Sequence, residues 1–184
     1  MKSLFLGLLT AYALAPAVRA DFEVSASFRY VDREHSLNGW TGAEPLLPIR
    51  RATVDLIDTA TGSILASGET DDDGAVALNV AAKGTGDVEL RAYTLSTGFA
   101  PSELAVRADN IGGPLYSVAS PVVLGHAFDD DLSFGEVVAD KVFVSGLQGN
   151  PFDVFEATVR VAEWLEQSGL PPTTQPLGAV YPAA

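Results

Sequence analysis

The chain contains no cysteine. Disulfides, thiolate metal sites, cysteine nucleophiles and a lipid anchor on cysteine are all excluded, and the core has to hold by packing alone. Histidine is nearly as scarce, with His35 and His126 the only two in 184 residues. A three-histidine zinc site cannot be assembled from two, and Ser-His-Asp chemistry would need one of this pair as its base. Basic charge is short as well. Eleven Lys and Arg stand against 24 Asp and Glu, a formal net charge of −13. Such a surface repels nucleic-acid phosphates and anionic membranes, so nucleic acid is not an expected partner. Beyond the first twenty residues no stretch approaches the ~20 apolar residues of a membrane-spanning helix.

The first twenty residues read as a secretory signal peptide. Lys2 supplies the positive end, and Leu4 to Leu14 form an apolar stretch broken only by Gly7, Thr10 and Tyr12. Val18-Arg19-Ala20 then places small residues at the two positions a signal peptidase reads before Asp21, with Ala15-Pro16-Ala17 as a second possible cut. The sequence therefore predicts a protein that is secreted, periplasmic or on the cell surface. Removing residues 1–20 leaves 164 of the 184. Nine basic residues then face 24 acidic ones, a net charge of −15. That length suits one ordinary domain, burying about 70% of the surface its unfolded chain exposes.

After the leader the chain alternates with the period of β-strands. Phe22, Val24, Ala26, Phe28 and Tyr30 fall on one face, and Glu23, Ser25, Ser27 and Arg29 on the other. Asp32 to Pro48 carries turn formers, Gly39-Trp40-Thr41-Gly42 and two prolines, and reads as a loop. Ala52, Val54 and Leu56 open the next strand, Asp58 to Gly62 makes a hairpin turn, and Ile64 to Glu69 returns. After the turn Thr70-Asp71-Asp72-Asp73-Gly74, Val76, Leu78 and Val80 share a face. Past Lys83 to Gly86, Val88, Leu90 and Ala92 alternate against Asp87, Glu89, Arg91 and Tyr93. Short strands with turns every ten or so residues predict a sandwich or barrel. The pattern weakens from Ser96 to Pro114, and Tyr116 to Leu124 and Phe134 to Val138 are further strand candidates. Pro121 would put the first of these at an edge or bulge.

Near the end the period changes to that of a helix. Asn150 is a good N-cap, Pro151 occupies the first helical position, and Asp153 adds favourable negative charge to the first turn. Phe152, Phe155, Val159, Ala162 and Leu165 recur at helical spacing, and Gly169 with Pro171-Pro172 ends the run. Val154, Val161 and Trp164 widen the apolar side beyond one stripe, which calls for two neighbours. The domains expected are a β unit over 21–148, an amphipathic helix over 149–170 and a Pro-rich tail over 171–184. That tail reads as a disordered end or as the point where a longer frame was cut.

Residues 50–95 resemble the carboxypeptidase regulatory-like modules, relatives of transthyretin. The carrying residues are Ala52-Thr53-Val54-Asp55-Leu56, Thr61-Gly62, Thr70-Asp71-Asp72-Asp73-Gly74 and Val88-Glu89-Leu90-Arg91-Ala92. The insertion from Asp32 to Pro48 departs from the short turn usual in that family. The resemblance implies a seven-stranded antiparallel β-sandwich of transthyretin or immunoglobulin-like type, and the helical period adds one C-terminal α-helix to this mainly β fold. The resemblance also implies a non-catalytic accessory module, often attached to a secreted enzyme or surface protein.

Candidate sites are few. Asp71 and Asp73 could ligate calcium, but twelve residues counted from Asp71 end at Ala82 where an EF-type loop needs glutamate. A solvated turn whose aspartates bond their own backbone accounts for the run better. Asp129 and Asp131 form the second acidic run, with His126 three residues before it and no third ligand at a sensible spacing. Neither run calls for a cofactor beyond possible calcium. Glu34-His35 is not a zinc-protease helix motif, and no G-x-S-x-G elbow presents a serine. No Gly-rich loop runs into a helix start to cradle phosphate. Trp40 is the ligand-binding candidate, an indole between glycines that either stacks on sugar, with Tyr30 and Tyr93 extending the platform, or plugs the end of the core.

The expectation is an exported, non-catalytic module that binds or spaces, its partner an extracytoplasmic protein, domain or glycan. Two other readings stand beside it. One is the leader region of a secreted hydrolase with its active site beyond residue 184. The other is a carbohydrate-binding or adhesive module using Trp40.

Overall fold

A computed structural model describes residues 22–32, 34–37, 39–99, 103–110, 112–140, 142–144, 147–170 and 177–181. The leader lies outside them. In chain order the elements are β1 (Phe22–Val31), β2 (His35–Ser36), β3 (Gly39–Trp40), β4 (Leu46–Pro48), β5 (Thr53–Asp58), β6 (Ser63–Glu69), β7 (Ala75–Val80) and β8 (Thr85–Tyr93). Then come β9 (Leu95–Ser96), β10 (Leu104–Ala108), β11 (Ser117–Ala119), β12 (Val123–Ala127), β13 (Leu132–Ala139), β14 (Val142–Val144), β15 (Leu147–Gly149), α1 (Pro151–Gln167) and β16 (Leu177–Tyr181). Over the described residues the fold is mainly β with one helix, and its sheets stay open.

β1 runs through the middle of the first sheet. It pairs in parallel with β13 along one edge, and antiparallel with β7 and then β4 along the other. In the second sheet β8 is central, with β5 and then β6 on one side and β11 followed by β12 on the other. Both sheets turn their apolar faces to one core. Phe22, Val24, Phe28 and Tyr30 from β1 join Val54 and Leu56 from β5 and Val88, Leu90 and Ala92 from β8 in a single cluster. The period-2 alternation places these side chains, because successive residues of a strand point to opposite faces.

The structure differs from the expected all-antiparallel arrangement in two pairings, β1 with β13 and β10 with β16, which are parallel. Each joins strands far apart in sequence, so no hairpin forces them to run in opposite directions. The segment expected as a loop holds β4, which pairs Leu47 with Tyr30, and the short β2–β3 ladder. β10 lies in the weak region after Ser96. Leu104, Ala105 and Val106 are buried in succession, which removes the alternation that marks a half-buried strand. In the expected tail, β16 pairs with β10 from Leu177 to Tyr181. Pro121 falls in the break between β11 and β12. There the Ser120 hydroxyl accepts from the Leu90 amide at 3.0 Å and completes the ladder.

α1 starts where its sequence indicates. Asn150 accepts from the Phe152 amide at 3.0 Å, and its own side-chain amide donates to the carbonyl of Ala139 at 3.0 Å. The buried stripe Phe152, Phe155, Val159 and Ala162 packs into the same core as the sheets, with β10 and β16 against the helix. Val161 and Trp164, on the far side, are 53% and 60% exposed.

Candidate functional site

Two arginines just before β5 organise the most elaborate polar cluster. Arg50 Nε donates to Glu156 Oε1 at 2.8 Å, and a second guanidinium nitrogen meets the same oxygen. Its Nη1 lies 3.3 Å from Glu163 and 3.9 Å from Asp72. Arg51 pairs with Asp72 at 3.1 Å and reaches Glu163 at 3.9 Å. Glu156 also accepts from Arg160 Nε at 3.2 Å. The Glu156 side chain is 5% exposed, and its Oε2 has no hydrogen-bond partner among the described residues. A carboxylate so removed from water needs the cations around it to remain charged.

Electrostatics reinforce the cluster. Burial works against the Arg50 charge, but the hydrogen bonds and charges of Glu156 and Glu163 outweigh it and raise its pKa. The neighbouring Tyr30 hydroxyl is pushed well above its ordinary value by burial, with the charges of Asp153, Asp32 and Glu156 adding to the shift. Arg51 adopts a left-handed backbone, φ 55°, a conformation side-chain-bearing residues seldom take. Its amide donates to the Thr70 carbonyl at 3.1 Å. Chemically the cluster holds things in place: its acids are tied to guanidinium groups, and it joins α1 to the turn before β7.

The acidic runs form two separate turns. Asp71 Oδ1 accepts from the amides of Asp73 at 2.9 Å and Ala75 at 2.8 Å, so this aspartate organises its own turn. Gly74, at φ 75°, closes that turn, and its carbonyl accepts from the Phe28 amide at 2.8 Å. Asp131 Oδ1 accepts from the Glu23 amide at 2.8 Å, tying the turn before β13 to the start of β1. Asp129 is exposed in the same turn. Asp71 and Asp73 thus lie in one turn, and Asp129 and Asp131 in another. Among the described residues no group of three or more His, Asp or Glu is arranged for a metal ion. His126 sits on β12 with its ring 5.3 Å from Phe22 and 6.2 Å from Phe128, in an aromatic setting at the end of the core.

The expected aromatic platform is corrected at one member. Tyr30 is 1% exposed, inside the core where the β1 alternation sends it, and is not available to a surface ligand. Trp40 lies on β3, its backbone paired with His35, and its side chain is outside the described residues.

Tyr93 belongs instead to a different surface, the outer face of the β8 sheet. Glu89, Arg91 and Tyr93 alternate along β8 on the side away from the core. Across the ladder Arg91 stands opposite Asp55, and Glu89 opposite Ile57. Arg91 pairs with Glu89, whose side chain is only 12% exposed, while Arg91 Nε is buried with no hydrogen-bond partner among the described residues. Burial and then the Asp55 charge raise the Tyr93 pKa, with Arg91 opposing them. Ile57, Ile64 and Val122 flank these polar groups and complete an open depression of about 520 Å³. Asp55, across the ladder from Arg91, accepts from the Ser67 hydroxyl at 2.6 Å.

Sequence reasoning passed over both clusters. The signal for the first is a pair of arginines in an acidic chain, with Glu156 and Glu163 seven residues apart on one side of a helix. For the second it is the outward set Glu89, Arg91 and Tyr93 at every other position.

No family model matches the chain, and no curated protein does. Among solved structures, a 9R-lipoxygenase from Cyanothece PCC8801 aligns with TM-score 0.38 and 13% identity, over 72% of this chain and 18% of that one. An (S)-allantoin synthase aligns with TM-score 0.32 and 14% identity, over 72% of this chain and 45% of that one. The chain thus spans less than half the length of either.

Proposed function

We propose that the protein is an exported, non-catalytic accessory module that acts by binding or spacing, the front part of a larger secreted or surface protein. The two sheets that share the core are read as the leaves of a transthyretin-like sandwich. The observation that carries the reading is the way α1 is used. Arg50 and the stripe from Phe152 to Ala162 fasten it to the β unit, so its strongest polar contacts serve assembly and not turnover. Its second apolar stripe, through Val161 and Trp164, faces outward, as in a module that presents a helix to a neighbouring domain. The leader sequence supports export.

Three measurements test this. Whole-chain expression in a Gram-negative host should yield an exported species whose intact mass lacks residues 1–20; retention of the leader would sink the export claim. Reading the DNA beyond the Ala184 codon should find an open frame; a stop codon would remove the larger parent. Purified residues 21–184 should release no product from polysaccharide or peptide substrates. Turnover abolished by a single acid-to-amide substitution would replace the accessory reading with an enzymatic one.

A further inference from the structure

We propose that the depression on the outer face of the β8 sheet is a binding groove for a neutral polysaccharide. The proposal rests on the reading of this chain as a binding module and names the ligand class. Four features carry it. The depression is open and runs along β8 from Tyr93 toward Glu89, so it suits a ligand that passes through rather than one that is engulfed. Its walls, Ile57, Ile64 and Val122, offer apolar surface to the C–H faces of a sugar ring, and Tyr93 adds an aromatic ring beside a polar tip. Glu89 accepts and Arg91 donates side by side, matching the way neighbouring sugar hydroxyls both donate and accept. Finally, Asp55 and Glu89 outnumber Arg91 on this face of a chain with net charge −13, which disfavours polyanionic glycans.

The topology argues against an extended peptide. A peptide gains affinity on a sheet by adding to a free edge. β8, which supplies Glu89, Arg91 and Tyr93, is paired on both sides, by β5 and by β11 with β12, so a peptide lying over these residues finds no main-chain ladder.

The test uses residues 21–184 in affinity gels and calorimetry with mixed-linkage β-glucan, xyloglucan, galactomannan, arabinoxylan and laminarin, with polygalacturonate and heparin for contrast. The reducing ends released are measured in parallel. At least one neutral glycan should be retained, with affinity falling tenfold or more in Tyr93→Ala and in Glu89→Gln and unchanged in Trp40→Ala. Should either β8 variant fold poorly, Ile64→Asp, at a position 58% exposed, places a charge on the groove wall without touching the core and should abolish retention. Retention of no neutral glycan, retention of the polyanions alone, or loss in Trp40→Ala with Tyr93→Ala intact would each overturn the groove. Release of reducing ends overturns the non-catalytic reading and leaves the groove standing, so the two failures are told apart.

Discussion

Arg50 and Glu156 lie 106 residues apart and meet through two guanidinium nitrogens on one carboxylate oxygen, the bond from Nε being 2.8 Å. The relationship joins the segment before β5 to the second turn of α1 and sets the helix against the sheets. Neither partner is replaceable in the same way. Arg50 has Glu163 and Asp72 in reserve, whereas Glu156 is buried and keeps, among the described residues, the more exposed Arg160.

That asymmetry predicts unequal variants. Arg50→Leu should destabilise by about 3 to 5 kcal/mol, because it strands a buried carboxylate. Glu156→Gln should cost less, about 1 to 3 kcal/mol. Arg50→Leu with Glu156→Leu should recover much of the loss, since two apolar groups leave no buried charge behind. Urea unfolding of the wild type, Arg50→Leu, Glu156→Leu and the double Leu variant closes a double-mutant cycle that reads the coupling, and additive single effects would show that the pair is not coupled.

The two sides of α1 should respond differently to truncation. Phe155 is 1% exposed and inside the core, so Phe155→Ala should cost about 3 to 5 kcal/mol. Trp164→Gln on the far side should stay within about 0.5 kcal/mol. In a Trp40→Phe background, emission from Trp164 should be red-shifted and readily quenched by acrylamide. A blue-shifted, protected indole would mean that this face is covered.

Alternation made much of the β framework legible. The inward residues of β1, β5, β7 and β8 follow from period 2 alone, and α1 from its cap, its period and its Gly169 stop. What escaped has a common cause. β10 is buried at consecutive positions and therefore carries no period, and β16 gains its pairing only from β10, a partner local pattern cannot supply. β4 is three residues long and ends in proline, below the length at which a pattern exists. The Arg50 cluster is a tertiary meeting of segments far apart in sequence. The outer groove, by contrast, uses residues whose outward alternation was plain, but polar alternation alone does not distinguish a solvated face from one that holds a ligand.

Calcium should not stabilise the fold. Asp71 already serves two turn amides, and Asp72 is paired with Arg51. A cation would have to displace these partners. Thermal unfolding of residues 21–184 should give the same Tm in millimolar calcium as in chelator. An upward shift of several degrees would show that one of the acidic turns binds the ion in the native state.

Alkaline pH should weaken the fold through its tyrosines. Burial, then the charges of Asp153, Asp32 and Glu156, raises the Tyr30 pKa above its ordinary value, and burial does the same more mildly at Tyr93. A raised folded-state pKa means that the contribution is fully present below the unfolded value of about 10 and is lost as pH rises beyond it. Stability from these groups should therefore hold from neutral pH to about 9 and fall above about 10. Tyr30→Phe should flatten that fall. Tyrosinate absorbance should show one tyrosine ionising only as the protein unfolds, and full ionisation in the native state would contradict the burial of Tyr30.

Gly74 and Gly62 offer a matched test of what a turn glycine does. Both have left-handed backbones, at φ 75° and 71°. A Cβ at Gly62 meets nothing within 4 Å, whereas at Gly74 it would run into the Phe28 carbonyl oxygen and crowd Ile49 and Pro48. Gly62→Ala should thus show only the conformational term, about 1 to 2 kcal/mol. Gly62→Asn should be nearly neutral, because asparagine tolerates this region. At Gly74 neither residue escapes the collision. The damage also reaches the bonds that hold β1 there, from the Phe28 amide to the Gly74 carbonyl at 2.8 Å and from the Ile49 amide to the Phe28 carbonyl at 2.9 Å. Both Gly74→Ala and Gly74→Asn should lose about 3 kcal/mol or more in chemical unfolding. An asparagine rescue at Gly74 equal to that at Gly62 would mean that only the backbone angle matters, and that β1 does not depend on this close approach.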